Sequence, residues 1–272
     1  MTQSSLRPDD ATPRSAFGPM LRDWRERRRL SQQELSLAAD VSARHLSFLE
    51  TGRSQPSRKM VLSLADHLEV PLRERNDLLA ASGFAPVYPQ RPLDAPEMRS
   101  VRAAVDQILE GHEPYPAVAV DRWWNVLAAN RPIAALTAAV DPALLGPPLN
   151  VYRVTLHPDG LAPLIVNLPE LAYHLVERLR HDARTTGDPQ LLALLDEVEA
   201  YPTVRGLPRH IDTPEGVVVP MRLRHPQGEL AMFTTITTFG TPADVTVAEL
   251  ALELFYPLDS ATAERLRAVA AE

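Results

Sequence analysis

The stretch LSQQELSLAADVSARHLSFLETGRSQPS, residues 30–57, decides how the first third of the chain folds. Ser31 followed by Glu34 is a capping box, so a helix opens after Ser31 and carries Leu35 and Ala38. ADVS, residues 39–42, makes a tight turn, and Ser42 caps a second helix that Gly52 closes, as a glycine just past a helix end does. Two short helices across so tight a turn form a helix-turn-helix, whose second helix offers its N-terminal residues to a major groove. Around that second helix Val41, Leu46 and Leu49 face inward. Ala43, Arg44, Ser47 and Phe48 are left outward, with His45 at the margin.

Working outward, AFGPMLRDWRERRR, residues 16–29, puts Phe17, Leu21 and Trp24 at helical spacing and ends in arginines, which suit a helix C-terminus. Downstream, a helix from Ser57 to about Leu68 carries Met60, Leu62, Leu64 and Leu68. Another runs from Pro71 to about Ala81, with proline at its first turn. The result is an all-α domain of five short helices over residues 15–82. It resembles the Xre and phage-repressor family of DNA-binding domains: SQxEL opens one helix, V-S follows, and the next helix closes on LExG. The resemblance implies a lambda-repressor-like fold bound to double-stranded DNA. Two positions depart from the usual pattern: Asp40 stands where glycine takes a left-handed turn, and Ser36 stands where alanine lies at the helix crossing. Asp tolerates the left-handed region, and Ser is nearly as small as Ala.

The chemistry of that face follows from side-chain types. Arg44 suits a bidentate bond to guanine, and Phe48 either touches a thymine methyl or packs under the following loop. Ser31 and Gln32, at the start of the preceding helix, are expected to meet phosphate, as are Arg53, Arg58 and Lys59 beyond the recognition helix. Ser42, Ala43, His45 and Ser47 complete the expected contact set. Charge agrees with this division. Residues 14–75 carry a net charge of +4, and the remainder carries −11. The acidic part discourages DNA and leaves that work to the basic module.

Length and composition bound the rest. A chain of 272 residues suits two domains. There is no cysteine, which removes disulfides, thiolate metal sites and cysteine nucleophiles together. No apolar run reaches the roughly 18 residues of a membrane span, and the polar, proline-bearing N-terminus lacks a signal peptide's apolar core. A cytoplasmic protein without a membrane partner is expected.

Residues 83–96 hold four prolines and read as a linker, and residues 97–272 read as a second, α+β domain. After a helix over 97–111 come a β-rich run at 117–121, a DRWW turn, a second short strand, and a helix from Asn130 onward. That opening looks like a PAS domain. LPELAYHLVERLRHDA and DPQLLALLDEVEAY are amphipathic helices, the second capped by Asp188. Two strands at about 217–224 and 229–239 flank the turn HPQG. Thr246 with Glu249 forms a capping box, predicting a helix over 247–256, and the chain ends in a further helix.

DRWWNVLAAN, HPDGLAPLIVNLPELAYHL and TTFGTPADVTVAELALELFYPLD, with the recognition-helix region, resemble the MmyB-like family of bacterial transcription regulators from about residue 15 to 268. The resemblance implies an Xre-type module joined to a PAS-like domain that holds a small hydrophobic, fatty-acid-like ligand. Where the family usually has N-L-x-R, this chain has Asn150, Val151, Tyr152 and Arg153. Candidate pocket residues are Trp123, Trp124, Met221, Met232, Phe233 and Phe239, with Asn130 and Arg153 as polar anchors.

No catalytic constellation is legible. The eight histidines lack metal-ligand spacing, and there is no GxSxG and no phosphate-binding glycine loop. His174 and His181, seven apart on one expected helix, read as satisfied or solvent-facing. No cofactor and no enzyme activity are expected, and a homodimer on a palindromic operator is. Two alternatives stay open: a haem- or flavin-bearing redox sensor or enzyme tethered by a DNA module, and an antitoxin-like interaction protein.

Overall fold

The computed structural model describes residues 16–207 and 218–271. They form two units that meet in sequence at Pro89 and Gln90. The first holds α1 (Phe17–Arg27), α2 (Gln32–Ala38), α3 (Ala43–Glu50), α4 (Arg58–His67) and α5 (Leu72–Ala81). The capping box forms as its residues dictate: the Ser31 hydroxyl accepts from Glu34 N at 3.1 Å, and the Glu34 carboxylate accepts from Ser31 N at 2.7 Å. Asp40 takes the left-handed turn conformation with φ 53°. Leu21, Trp24, Leu35, Leu46, Leu49 and Leu64 share one core.

Two features lock α1 onto the recognition helix α3. Gly18 lies so close that a Cβ there would fall 2.5 Å from the Glu50 carbonyl oxygen and 2.7 Å from that of Leu49. Only glycine fits that backbone approach. Beside it, Arg25 Nε donates to Glu50 Oε1 at 2.6 Å and Arg25 Nη2 donates to Oε2 at 3.0 Å. Both side chains are buried, and Arg25 Nη1 donates to the Leu30 carbonyl at 2.8 Å. The glutamate of LExG is therefore a buried structural ion rather than a surface charge.

The stretch expected as linker begins later than residue 83. Asn76 on α5 accepts from Val87 N and Tyr88 N and donates to the Tyr88 carbonyl at 2.7 Å, and Phe84 packs against the core. One asparagine side chain satisfies three backbone groups, so the segment stays with the first unit.

Among its described residues the second unit is a five-stranded antiparallel sheet with helices on both faces. Its strands are β1 (Ala117–Val120), β2 (Val126–Ala129), β3 (Met221–Leu223), β4 (Leu230–Thr238) and β5 (Ala251–Pro257), in the order β2-β1-β5-β4-β3. One face, with Ala117, Ala119, Leu252 and Leu254, packs on α6 (Arg99–Gly111). The opposite face, with Val118, Val120, Met232 and Phe255, packs on the remaining helices. These are α7 (Arg131–Leu136), α8 (Pro142–Leu145), α9 (Val151–Leu156), α10 (Leu168–Thr186), α11 (Pro189–Ala200) and α13 (Ser260–Ala271). α12 (Val245–Ala248) is a single turn.

One expectation fails here. The helix predicted over 247–256 is instead β5, a strand flanked on both sides. Asp244, not Thr246, caps α12, its carboxylate accepting from Thr246 N at 2.9 Å. Beyond that turn Leu250, Leu252 and Leu254 serve one sheet face while Ala251 and Phe255 serve the other, a period of two that overrides the capping signal. The expected hairpin around HPQG is present, with shorter strands, and its predicted first residue, 217, lies outside the described residues.

The Arg25–Glu50 pair yields a stability prediction. Glu50→Ala leaves a buried guanidinium without its counter-ion and should lower the stability of the first unit by about 3–5 kcal/mol. Amide hydrogen exchange across α1–α3 in increasing urea measures this, and Glu50→Ala should expose those amides at lower denaturant.

Candidate functional site

In the first unit, α3 carries the exposed chemistry. Ser42 accepts from His45 N at 3.1 Å and sets the helix start, while Leu46 and Leu49 are buried. Ala43 and Arg44 are exposed, and His45, Ser47 and Phe48 are half-buried. The Arg44 guanidinium lies 5.3 Å over the Phe48 ring. Phe48 is thus a platform that limits the rotamers of Arg44 and covers its apolar stem. Arg53, Arg58 and Lys59 are exposed on the segment that follows. The Gln32 amide donates to Glu50 Oε2 at 2.8 Å, joining α2 to the buried ion pair. Ser31 spends its oxygen on the cap.

In the second unit, the DRWW turn between β1 and β2 distributes four side chains. Asp121 closes the turn, accepting from Trp123 N and Asn125 N at 2.9 Å each. Arg122 is buried and reaches Glu249 at 2.7 Å and Asp188 at 3.4 Å. Trp123 donates through its indole to Asp188 at 3.1 Å. Trp124 is the strained member, with φ 65°, a conformation rare for a bulky residue. Its ring meets Tyr152 of α9 edge-on at 5.4 Å, and the Arg178 guanidinium of α10 lies 4.1 Å above it.

Arg178 also donates through Nε to the Tyr152 hydroxyl at 3.2 Å. Burial pushes that hydroxyl up to about 12, so Tyr152 stays neutral. With its position fixed by Trp124 and Tyr152, Arg178 still has a buried Nη2 without a hydrogen-bond partner. That atom is not alone. Arg178 lines a cavity of about 210 Å³ together with His174, Glu253, Thr155, Leu171, Leu175, Met221 and Phe255. His174 Nε2 and Glu253 Oε2 are likewise buried without partners. Glu253 is only 5% exposed, and burial pushes its carboxyl above the ordinary range against the pull of Arg178 and a hydrogen bond from Thr234. Unpartnered buried polar atoms are uncommon in folded proteins, and three of them lie together on this one apolar-walled cavity.

Of the residues expected at a pocket, Met221 lines this cavity and Trp124 supports Arg178 beneath it. The others are elsewhere, for identifiable reasons. Asn130 is buried with its amide fully used: it accepts from Ala117 N and donates to the carbonyls of Leu109 and Tyr115. Arg153 forms a bidentate pair with Glu197 of α11, at 2.8 Å on each arm, and lines a separate groove with Trp123. Met232 is fully enclosed in the core. Phe233 stacks on Tyr256, and Phe239 packs with the α6 cluster, both on the opposite sheet face. Sequence reasoning missed Arg178 and Glu253 altogether and set His174 aside. The available signal was the i, i+4 spacing of His174 and Arg178, which puts them on one face of α10.

Among the described residues no cluster of His, Asp and Glu is arranged to hold a metal ion. None of their helices is long and apolar enough to cross a membrane.

The raised carboxyl of Glu253 sets a pH dependence. The fold favours its protonated form, so the associated stability is fully present below the unfolded value of about 4.3 and is lost as pH rises through the folded value. At about pH 7 the unfolded chain holds this carboxyl ionised, so folding at that pH bears the cost of burying it. Glu253→Gln should therefore raise the thermal midpoint of the ligand-free protein near pH 7, and the gain should shrink as pH falls toward about 4. Calorimetry across that range checks it, and a gain that grows toward acid would contradict the assignment.

Comparison with known proteins agrees with both halves of this description. A family model described as MmyB-like transcription regulator ligand binding domain matches residues 101–269, and a helix-turn-helix domain model matches residues 16–78. Two crystal structures of the clp gene regulator ClgR from Corynebacterium glutamicum are similar to a minor part of the chain. One has 30% identity over 28% of this chain and 92% of that chain, the other 24% over 39% and 98%, each with a TM-score of 0.24. A structure of an RNA-binding light-oxygen-voltage receptor covers 98% of this chain and 68% of its own at 11% identity, also with a TM-score of 0.24. The search of curated proteins gave no match. A helix-turn-helix unit followed by that ligand-binding domain over most of the chain makes this a DNA-binding transcription regulator, and it belongs to the MmyB-like family.

Proposed function

We propose that this regulator is a cytoplasmic homodimer that binds a palindromic operator and changes its affinity when a small hydrophobic molecule occupies the cavity between the sheet and α10. The observation that carries the reading is the trio of unpartnered polar atoms on Arg178, His174 and Glu253, gathered in one apolar-walled cavity. A molecule with an apolar body and a polar head, fatty-acid-like as the family resemblance implies, satisfies both kinds of wall. The β1–β2 hairpin followed directly by α7 supports a PAS-like description of the second unit. Neither haem nor flavin nor catalysis is part of this reading.

On the DNA side, Arg44 reads guanine from its platform on Phe48. Ser42, Ala43, His45 and Ser47 approach the groove beside it, and Arg53, Arg58 and Lys59 neutralise phosphates and fix the register. Ligand shifts the dimer between states of different DNA affinity only through its own differential affinity for those states. A C2 dimer places two recognition helices about one helical turn apart, so the operator should be two half-sites at that spacing.

An operator obtained by selection from random duplexes with the full chain permits the test. Arg44→Ala should cost about 1–3 kcal/mol at one or two base pairs and flatten the preference there. Lys59→Ala should weaken all duplexes alike and reduce the salt slope. Unchanged base preference in Arg44→Ala would overturn its reading role.

A further inference from the structure

Arg178, Arg122 and Arg91 mark a continuous line of contacts from the cavity to the segment that leads, in sequence, to the first unit. At the cavity Arg178 lies 4.1 Å above the Trp124 ring, and Trp124 holds its left-handed backbone at the β1–β2 turn. On the same turn Arg122 Nη1 donates to Glu249 Oε1 at 2.7 Å, and Arg122 Nε lies 3.4 Å from Asp188 Oδ2. Glu249 ends α12, the single turn between β4 and β5, whose Val245 and Val247 are buried. Asp244 begins it. Its carboxylate accepts from Thr246 N through one oxygen and from Arg91 Nη1 through the other, at 2.9 Å each. Arg91 follows closely on Pro89, where the first unit ends.

The two ion pairs on α12 differ in how readily they break. Arg122 and Glu249 are both buried, and parting them leaves a charge without its counter-ion, so α12 and the β1–β2 turn move together. Arg91 is 42% exposed against 9% for Asp244, and a pair with one solvated member is made or broken at small cost. Coupling between sites passes along packed and hydrogen-bonded groups that have two arrangements, and the Arg91–Asp244 pair is the member of this line that has two. We propose that this pair is the output contact of the cavity: a molecule held at Arg178 shifts Trp124 and its turn, Arg122 carries α12 with them, and Asp244 grips or releases Arg91. Arg91 is then a positioning residue, which sets where the segment toward the helix-turn-helix unit leaves the sheet and does not line the cavity itself. The proposal rests on the cavity being the ligand site, as above, and adds the residues through which occupancy is read.

The test uses the full chain stripped of co-purifying small molecules, a selected operator duplex, and dodecanoate as the probe. Saturating dodecanoate should change the operator affinity of the wild type by about fivefold or more, and Arg91→Ala should bring that change below about twofold. Calorimetry without DNA should show dodecanoate still binding to Arg91→Ala. Asp244→Asn, which keeps an oxygen for Thr246 N and removes the charge, should act as Arg91→Ala does, and Arg91→Lys should retain the response. By reciprocity the operator should change the affinity for dodecanoate in the wild type and not in Arg91→Ala, a difference that altered stability alone does not produce. A response kept in Arg91→Ala or Asp244→Asn, or lost equally in Arg91→Lys, would overturn the inference and leave the cavity reading standing. Loss of dodecanoate binding in Arg91→Ala would also overturn it, because Arg91 would then serve the ligand site itself. Failure of dodecanoate to bind the wild type, or binding that survives filling the cavity with Leu175→Trp, would overturn the cavity reading and the inference together.

Discussion

Arg178 is held on two sides by aromatic residues from separate elements, its plane above the Trp124 ring and its Nε on the Tyr152 hydroxyl. A guanidinium taken out of water needs either counter-charges or a full set of acceptors, and here neither is complete. The chain builds extensively to maintain this. Trp124 adopts a left-handed backbone conformation at the β1–β2 turn, and its flanks are tied down by Asp121, Arg122 and Trp123. Asn150 caps α9, accepting from Tyr152 N and donating to the Trp123 carbonyl. Strain and buried polarity of this kind persist where the surroundings over-determine them, commonly at a binding site.

The first unit solves a related problem with the opposite outcome. Arg25 is also a buried arginine, but Glu50 and the Leu30 carbonyl satisfy it, and Gln32 completes the carboxylate. That pair is finished chemistry, and it positions α3 by linking α1, α2 and the recognition helix at one point. Arg44, by contrast, is left exposed, with its guanidinium over the Phe48 ring. In each unit an arginine with unspent donors lies over an aromatic ring, Arg44 over Phe48 and Arg178 over Trp124.

Much of the first unit was legible because its instructions are local. Ser31, Glu34, Asp40, Ser42 and Gly52 each act on backbone within a few residues, and each does what its chemistry dictates. What Glu50 does was not legible, since its partner lies 25 residues away on another helix. In the second unit the amphipathic helices and the HPQG hairpin followed from periodicity. β5 did not, because Thr246 and Glu249 imitate a helix start and ALEL suits either structure. That error hid Glu253: a glutamate between leucines on a helix is a solvated face, whereas on a strand between two neighbours it points into the interior. Asn130 and Arg153 show the converse failure. Both are polar residues at conspicuous places, and both are consumed by structure, one by backbone groups and one by Glu197.

Control of the helix-turn-helix unit's DNA affinity by occupancy of the Arg178 cavity is the proposal on which the function rests. It is tested most directly by fluorescence anisotropy of a selected operator duplex, titrated with the full chain before and after removal of bound small molecules. The same pair of titrations is run on Leu175→Trp, in which the cavity is filled. The account predicts that stripping changes wild-type affinity by at least about fivefold, the low end of typical coupling between sites, and that Leu175→Trp binds the same way in both preparations. Identical wild-type curves before and after stripping, when mass spectrometry shows that a bound molecule was present and lost, would contradict it.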